Sequence, residues 1–315
     1  MNNIYKNCNE TIEKAAKTIL DGGLVAFPTE TVYGLGANVY NAKAVASIFA
    51  AKGRPSFNPL ISHIAEIDFL KEYALTDERV FALAKKFWPG PLTFVLPRID
   101  DNPALDLACA GLKTVTVRMP NHQVALDLIK KSGVPIVAPS ANKSQTISPT
   151  TANHVFESLG DKVDMIIDGG QCKVGVESTI IDLTGSNVVM LRAGGIAKEN
   201  LEEFLNQKVL ISDGNPLLPS SPGQMLKHYA PKHEFRINAT CKQDDEFLIG
   251  FGDVKDADIN LSLKADLCEA AANLFVYMRI ADSQNKYPKI AMSPIPQIGL
   301  GLAINDRIRR AAYKK

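Results

Sequence analysis

The sequence predicts an α/β protein, a twisted mixed sheet with flanking helices followed by a smaller α/β unit. Short apolar runs bounded by Gly and Pro recur up to residue 206, as buried strands do. Between them lie segments whose apolar residues keep helical spacing. Strands and helices mix without strict alternation, which favours a mixed sheet over a purely parallel one.

Asn9 can cap a first helix carrying Ile12, Ala15, Ala16, Ile19 and Leu20, and Gly22-Gly23 stops it. Residues 24–27 are a buried strand leading into the loop PTETVYGLG (28–36). A second helix opens near Asn41, buries Val45, Ile48 and Phe49, and brings Lys52 and Arg54 to its C-terminal end. Residues 59–64 read as a strand. Thr76, with Asp77 and Glu78, opens a helix burying Val80, Leu83, Ala84, Phe87 and Trp88, and Pro89-Gly90-Pro91 ends it. Strands follow at 92–96 and 114–118. In the second, Val115 and Val117 face one way and Thr114, Thr116 and Arg118 the other. That polar face is either solvated surface or the floor of a site. Further strands fit 134–138, 165–167, 178–183 and 188–191, with helices near 121–132, 151–158 and 198–206. From Gln207 the chain turns rich in Pro, Ser and Gly up to about Phe235, a linker composition. Strands at 247–250 and 289–292 and helices at 266–281 and from Leu302 then form a second unit, near the lower size limit for an independent core.

The bulk numbers exclude several classes. A net charge of +1 over 315 residues is not that of an electrostatic nucleic-acid binder. Residues 1–206 carry 20 basic and 22 acidic side chains, net −2. The five cysteines are scattered without a CxxC pair or histidines at metal spacing, so free thiols in a reducing cytosol are expected. No apolar run approaches membrane-spanning length, and the N-terminus lacks an apolar signal core, so a cytoplasmic protein with no membrane contact is expected.

There is no GxxxxGK[ST], and three separate GxG sequences lack the third glycine of a dinucleotide fingerprint. There is likewise no HExxH, GxSxG or zinc ribbon. Instead, the loop at 28–36 offers backbone and threonine hydroxyls at a strand end, and Lys52 and Arg54 face it from a helix end. A polar glycine loop opposite two cations suits a small polyanionic substrate. Other candidates also sit at strand ends. Ser140 and Asn142 follow the strand at 134–138, although an Asx or Ser turn would look the same. Ser178 opens a strand, Arg192 ends one before Ala193-Gly194-Gly195, and His63 lies in an apolar strand where histidine is more often structural. Each signal is weak alone.

Together they resemble one family. PTETVYGLG, KGRPSFNPL, TVTVRMP, APSAN, SPT, VESTIIDL and LRAG occur in the order seen in the threonylcarbamoyl-AMP synthases, the YrdC-like proteins. SPGQMLKHYAP (221–231) and GLGLAINDR (299–307) are similar to the long, two-domain form. Gln145 stands where the family usually has Gly, and Gln224 interrupts the usual SPGM. The resemblance implies a YrdC-like catalytic domain at 1–206, a linker or lid over the active site at 207–235, and a small C-terminal α/β Rossmann-like domain at 236–315.

It also implies synthesis of L-threonylcarbamoyladenylate from L-threonine, bicarbonate and ATP. Pyrophosphate is released, and the product serves the threonylcarbamoyl modification of a tRNA adenosine beside the anticodon. Threonine would be held by Thr31, His63, Arg118, Ser178 and the Ala138 backbone. ATP, with Mg²⁺ on its phosphates, would be held by Lys52, Arg54, Asn58, Thr114, Ser140, Asn142, Ser148, Arg192 and Tyr229. Lys52 and Arg54 would serve catalysis. Implied partners are a downstream tRNA-modifying threonylcarbamoyl transferase complex and a weak RNA contact. Two rival readings stand beside it. One is a double-stranded RNA-binding module, which the near-neutral charge disfavours. The other is a carbamoyl-transfer domain of the hydrogenase-maturation type, which would lack SPGQMLKHYAP.

Overall fold

The computed structural model describes residues 3–99, 103–212, 221–223 and 226–313. Among them, eleven strands form one mixed sheet. Its order is Ile4–Lys6, Met165–Asp168, Val25–Phe27, Gly34–Asn38, Ile136–Val137, Ile61–His63, Thr114–Arg118, Leu92–Pro97, Thr179–Asp182, Val189–Arg192 and Leu210–Ile211. Parallel and antiparallel pairings alternate irregularly across it. Helices Asn9–Leu20 and Gln123–Ser132 pack together on it, the first through buried Ile12, Ala15, Ala16 and Ile19. Amphipathic spacing thus places these helices as expected.

Register decides what meets at the strand ends. Strand Ile61–His63 runs parallel to Thr114–Arg118 and sets His63 opposite Arg118. An isolated bridge pairs Gly34 with Ser140, and Leu35 N and Ala141 N donate to Pro139 O and Tyr33 O, both at 2.8 Å. The PTETVYGLG and PSAN segments are therefore sewn together by backbone.

Two expectations shift. Residues 34–36, read as part of a loop, instead belong to strand Gly34–Asn38, which forms a hairpin with Val25–Phe27. The glycines suggested a turn, but a Cβ at Gly36 would lie 2.7 Å from Phe27 Cε1 and 2.8 Å from Ile136 Cγ2, so glycine is required for packing inside the sheet. The strand expected over 134–138 shrinks to Ile136–Val137. Helix Ala42–Lys52 is capped by Asn41, whose side chain accepts from Ala44 N at 3.1 Å, and ends at Gly53 with φ +60°.

The second sheet is all parallel, ordered Glu234–Arg236, Lys289–Met292, Glu246–Gly250 and Ile259–Asn260. Helices Leu267–Asp282 and Gly301–Ala311 accompany it. Its apolar core is not closed on itself. Val32, Ile147 and Val176 of the first unit belong to the same buried cluster as Phe275, Leu274 and Ile304 of the second. Among the described residues no helix is long and apolar enough to cross a membrane.

Candidate active site

One cavity gathers the strand ends and loops. Its lining comes from the 28–34 turn (Thr29, Thr31, Val32, Gly34), from Arg54, Ile61, His63 and Arg118, from Ala138, Pro139 and Ser140, and from Glu177, Ser178 and Arg192. Pro222, Gly223, His228 and Tyr229 of the 207–235 segment close it.

On one side Arg118 is held rigidly. Its Nε donates to Gly90 O at 3.2 Å and its Nη1 to Thr31 Oγ1 at 3.0 Å, while Nη2 lies 2.6 Å from Glu30 Oε2. Both partners of that ion pair are buried. Thr31 Oγ1 also meets Thr29 Oγ1 at 2.8 Å. Beside them, burial and the Arg118 charge pull the His63 imidazole down to about 3, so it is neutral. His63 Nδ1 is 3.2 Å from Ile61 O, which can only accept. Nδ1 therefore carries the proton, and Nε2 is left as an acceptor.

On the other side Arg192 binds Ser178 twice, Nε to the carbonyl at 3.0 Å and Nη2 to Oγ at 3.0 Å, and its Nη1 reaches Pro222 O at 3.4 Å. Ser178 Oγ is anchored by Thr93 Oγ1 at 2.7 Å. Arg54 donates to Asn58 O at 3.1 Å and Pro59 O at 2.7 Å. Burial and the neighbouring Arg192 lower Arg54 to about 9, and burial lowers Arg192 to about 10. Cations that burial and mutual repulsion both destabilise gain most from a polyanion placed between them.

Five expected nucleotide ligands do not line the cavity. Lys52 is buried, and its Nζ donates to the carbonyls of Ser140 and Asn142; burial and Arg54 push its pKa well down. It buttresses the loop that carries Ser140. Asn142 itself donates to Lys143 O and Thr146 O, both at 2.9 Å. Asn58 contributes its carbonyl to Arg54, and Ser148 Oγ donates to Glu177 Oε1 at 2.7 Å. Thr114 sits at the far end of the strand from Arg118. Thr31, Arg54, His63, Arg118, Ala138, Ser140, Ser178, Arg192 and Tyr229 do come together.

Sequence reasoning missed Glu177, Glu30, Pro222 and Gly223. Glu177 and Glu30 lie inside the VEST and PTET motifs, where a carboxylate among hydroxyls was the available signal. A Cβ at Gly223, whose φ is +91°, would lie 2.8 Å from Arg192 Cδ, so the backbone passes directly over that guanidinium. Two side chains of the SPGQMLKHYAP segment fare differently. Lys227 is exposed, whereas His228 lines the cavity and burial pulls it down to about 3, leaving it neutral.

A family profile described as "Telomere recombination" matches residues 17–194, and one described as "Threonylcarbamoyl-AMP synthase, C-terminal domain" matches 196–313. The chain is 42% identical to the threonylcarbamoyl-AMP synthase of Pyrococcus abyssi, over 98% of this chain and 97% of that one. It is also 42% identical to that of Bacillus subtilis, over 96% and 92%. The crystal structure of P. abyssi Sua5 complexed with L-threonine matches with a TM-score of 0.89 at 40% identity, covering 98% of this chain and 96% of that one.

Proposed function

We infer the reaction from the premise that this chain belongs to the threonylcarbamoyl-AMP synthases, in their two-domain form. It makes L-threonylcarbamoyladenylate from L-threonine, bicarbonate and ATP, an intermediate in threonylcarbamoyl modification of tRNA. The threonine nitrogen bonds to the bicarbonate carbon as water leaves. A carbamate oxygen then bonds to the α-phosphorus as its bond to the bridging oxygen breaks, and pyrophosphate departs.

The observation that carries this assignment is the division of one cavity into two cationic ends. Arg118, Thr31 and neutral His63 form an end suited to a small zwitterion: Arg118 meets the carboxylate, and His63 Nε2 accepts a hydrogen bond from the amino acid nitrogen. Arg54, Arg192 and Ser140 form the end suited to phosphates, where preset cations neutralise charge developing on the leaving group. Ser178 lines the same cavity, anchored by Thr93 and Arg192, and so presents a fixed hydroxyl beside the phosphate end. Tyr229 and Gly223 cover the cavity and keep water from a hydrolysable mixed anhydride.

Mg²⁺ enters with ATP. Among the described residues no three carboxylates, imidazoles or thiols come together to hold a metal, and Glu177 is already engaged by Ser148 and Arg307. Phosphate oxygens and water would be its ligands. The product's lability calls for a transferase that consumes it promptly, and the free cysteines suit the cytosol. Pyrophosphate release measured with each substrate omitted in turn tests the assignment. Release is expected only when L-threonine and bicarbonate are both present, and threonine-independent orthophosphate release would overturn it.

A further inference from the structure

The C-terminal unit sends one side chain out of its own core into the wall of the site. Arg307, on helix Gly301–Ala311, is fully buried. Its Nε lies 3.0 Å from Glu177 Oε2, and its Nη1 donates to Ala193 O at 2.6 Å and to Asp306 Oδ2 at 3.1 Å. The other Glu177 oxygen takes the Ser148 hydroxyl. Glu177 directly precedes Ser178, which holds Arg192. The same guanidinium stands 5.6 Å from the ring centroid of Tyr229, which stacks on Phe275 at 5.3 Å and 25°. Tyr229 has φ +60°, a backbone state that a bulky residue keeps only when its surroundings impose it.

Adhesion alone does not call for such a contact, because apolar side chains join two units at least as well as a buried ion pair does. Apolar contact is already present in the shared cluster around Val32, Ile147 and Val176. What the pair adds is electrostatic. Glu177 lines the cavity among Arg54 and Arg192. Burial alone would raise its pKa, yet Arg307 and Arg192 bring it down to about 2, so it stays ionised. An ionised carboxylate without its own partner would capture Arg192 or repel a triphosphate.

We propose that Arg307 is a positioning residue for the nucleotide half of the site: it holds Glu177 away from Arg192 and braces Tyr229, so that the C-terminal unit completes the ATP site. The proposal rests on the reaction assigned above. Its test uses the full chain and steady-state pyrophosphate release, with KM measured separately for ATP and L-threonine. Arg307→Met is expected to raise KM for ATP about tenfold or more while KM for threonine stays within about twofold. Adding Glu177→Gln removes the unpartnered anion and is expected to recover part of the ATP affinity. Equal rises in both KM values, or neither moving in a folded Arg307→Met protein, would reduce the pair to adhesion and overturn the proposal. If Arg307→Met does not fold, Arg307→Lys decides, since it keeps the charge and loses the fork. An ATP-selective rise of about threefold supports the proposal, and an unselective or absent one overturns it. Calorimetric binding of a non-hydrolysable ATP analogue to the same variants tests the bracing even if the wild-type chain lacks threonine-dependent turnover, so the two failures stay distinct.

Discussion

Arg118→Lys separates the two ends of the cavity. The arginine fork serves Gly90 O, Thr31 Oγ1 and the Glu30 carboxylate at once, with almost no exposure. A lysine ammonium can follow Glu30 but cannot span the other two. Hydrogen bonds to a charged group are worth about 1.5–3 kcal/mol, so losing two costs roughly 3–6 kcal/mol of stability. That is a large share of a typical total of about 5–15 kcal/mol, and a calorimetric scan should register it. Threonine loses one arm of its carboxylate clamp, about 1.5–3 kcal/mol, equal to a fall in affinity of about 10- to 150-fold. With ATP assigned to the Arg54 and Arg192 end, its affinity should change by less than about threefold. Isothermal titration of each ligand alone reads both numbers. Equal losses, or an unchanged threonine affinity, would refute the assignment of Arg118 to the amino acid.

Lys52→Ala and Arg54→Ala should each abolish most turnover but differ in stability. Removing Lys52 frees the Ser140 and Asn142 carbonyls and should lower the melting temperature, whereas Arg54→Ala should chiefly raise KM for ATP, and identical melting curves would contradict this split. Truncation after Gln207 removes Tyr229, His228 and Arg307 and uncovers Val32, Ile147 and Val176. A first unit that is less stable, binds ATP weakly and synthesises nothing is expected, and full synthesis would make the segment a mere tether. Glu177, depressed to about 2 when folded, contributes stability that is complete above its ordinary pKa of 4.5 and lost as pH falls toward 2. Acid unfolding of Glu177→Gln should therefore show a shallower slope over that window, and an unchanged slope would count against the ion pair.

What the sequence made legible was chemistry carried by loops in fixed order. The motifs around Thr31, Arg54, Ser140, Ser178 and Arg192 meet in space because each lies beside a strand end of one sheet or packs against one. Helices with a clean apolar stripe were equally plain. The hairpin strand at 34–38 was hidden, because glycine there serves contact with Phe27 and Ile136, which no local pattern reports. Short strands such as Ile4–Lys6 and Leu210–Ile211 are too brief for periodicity to declare. Lys52 and Asn142 read as ligands by type; in the structure Lys52 donates to the Ser140 and Asn142 carbonyls, and Asn142 to carbonyls of its own loop. Glu177 went unnoticed because its meaning comes from Arg307, 130 residues away.

The apolar cluster that takes in Val32, Ile147 and Val176 together with Phe275 and Ile304 has a thermodynamic consequence. Composition marks residues 207–235 as a hinge between separate bodies, and separate bodies melt in separate steps. Side chains held in common forbid that, because opening either sheet exposes the other's interior. At the junction a Cβ on Gly175 would stand 2.3 Å from Ala271 O, so no side chain, and by the same measure no water layer, fits between loop and helix. Heating should then give one calorimetric peak whose enthalpy matches its van't Hoff value. The active site, lying across that seam, would persist or vanish as a whole.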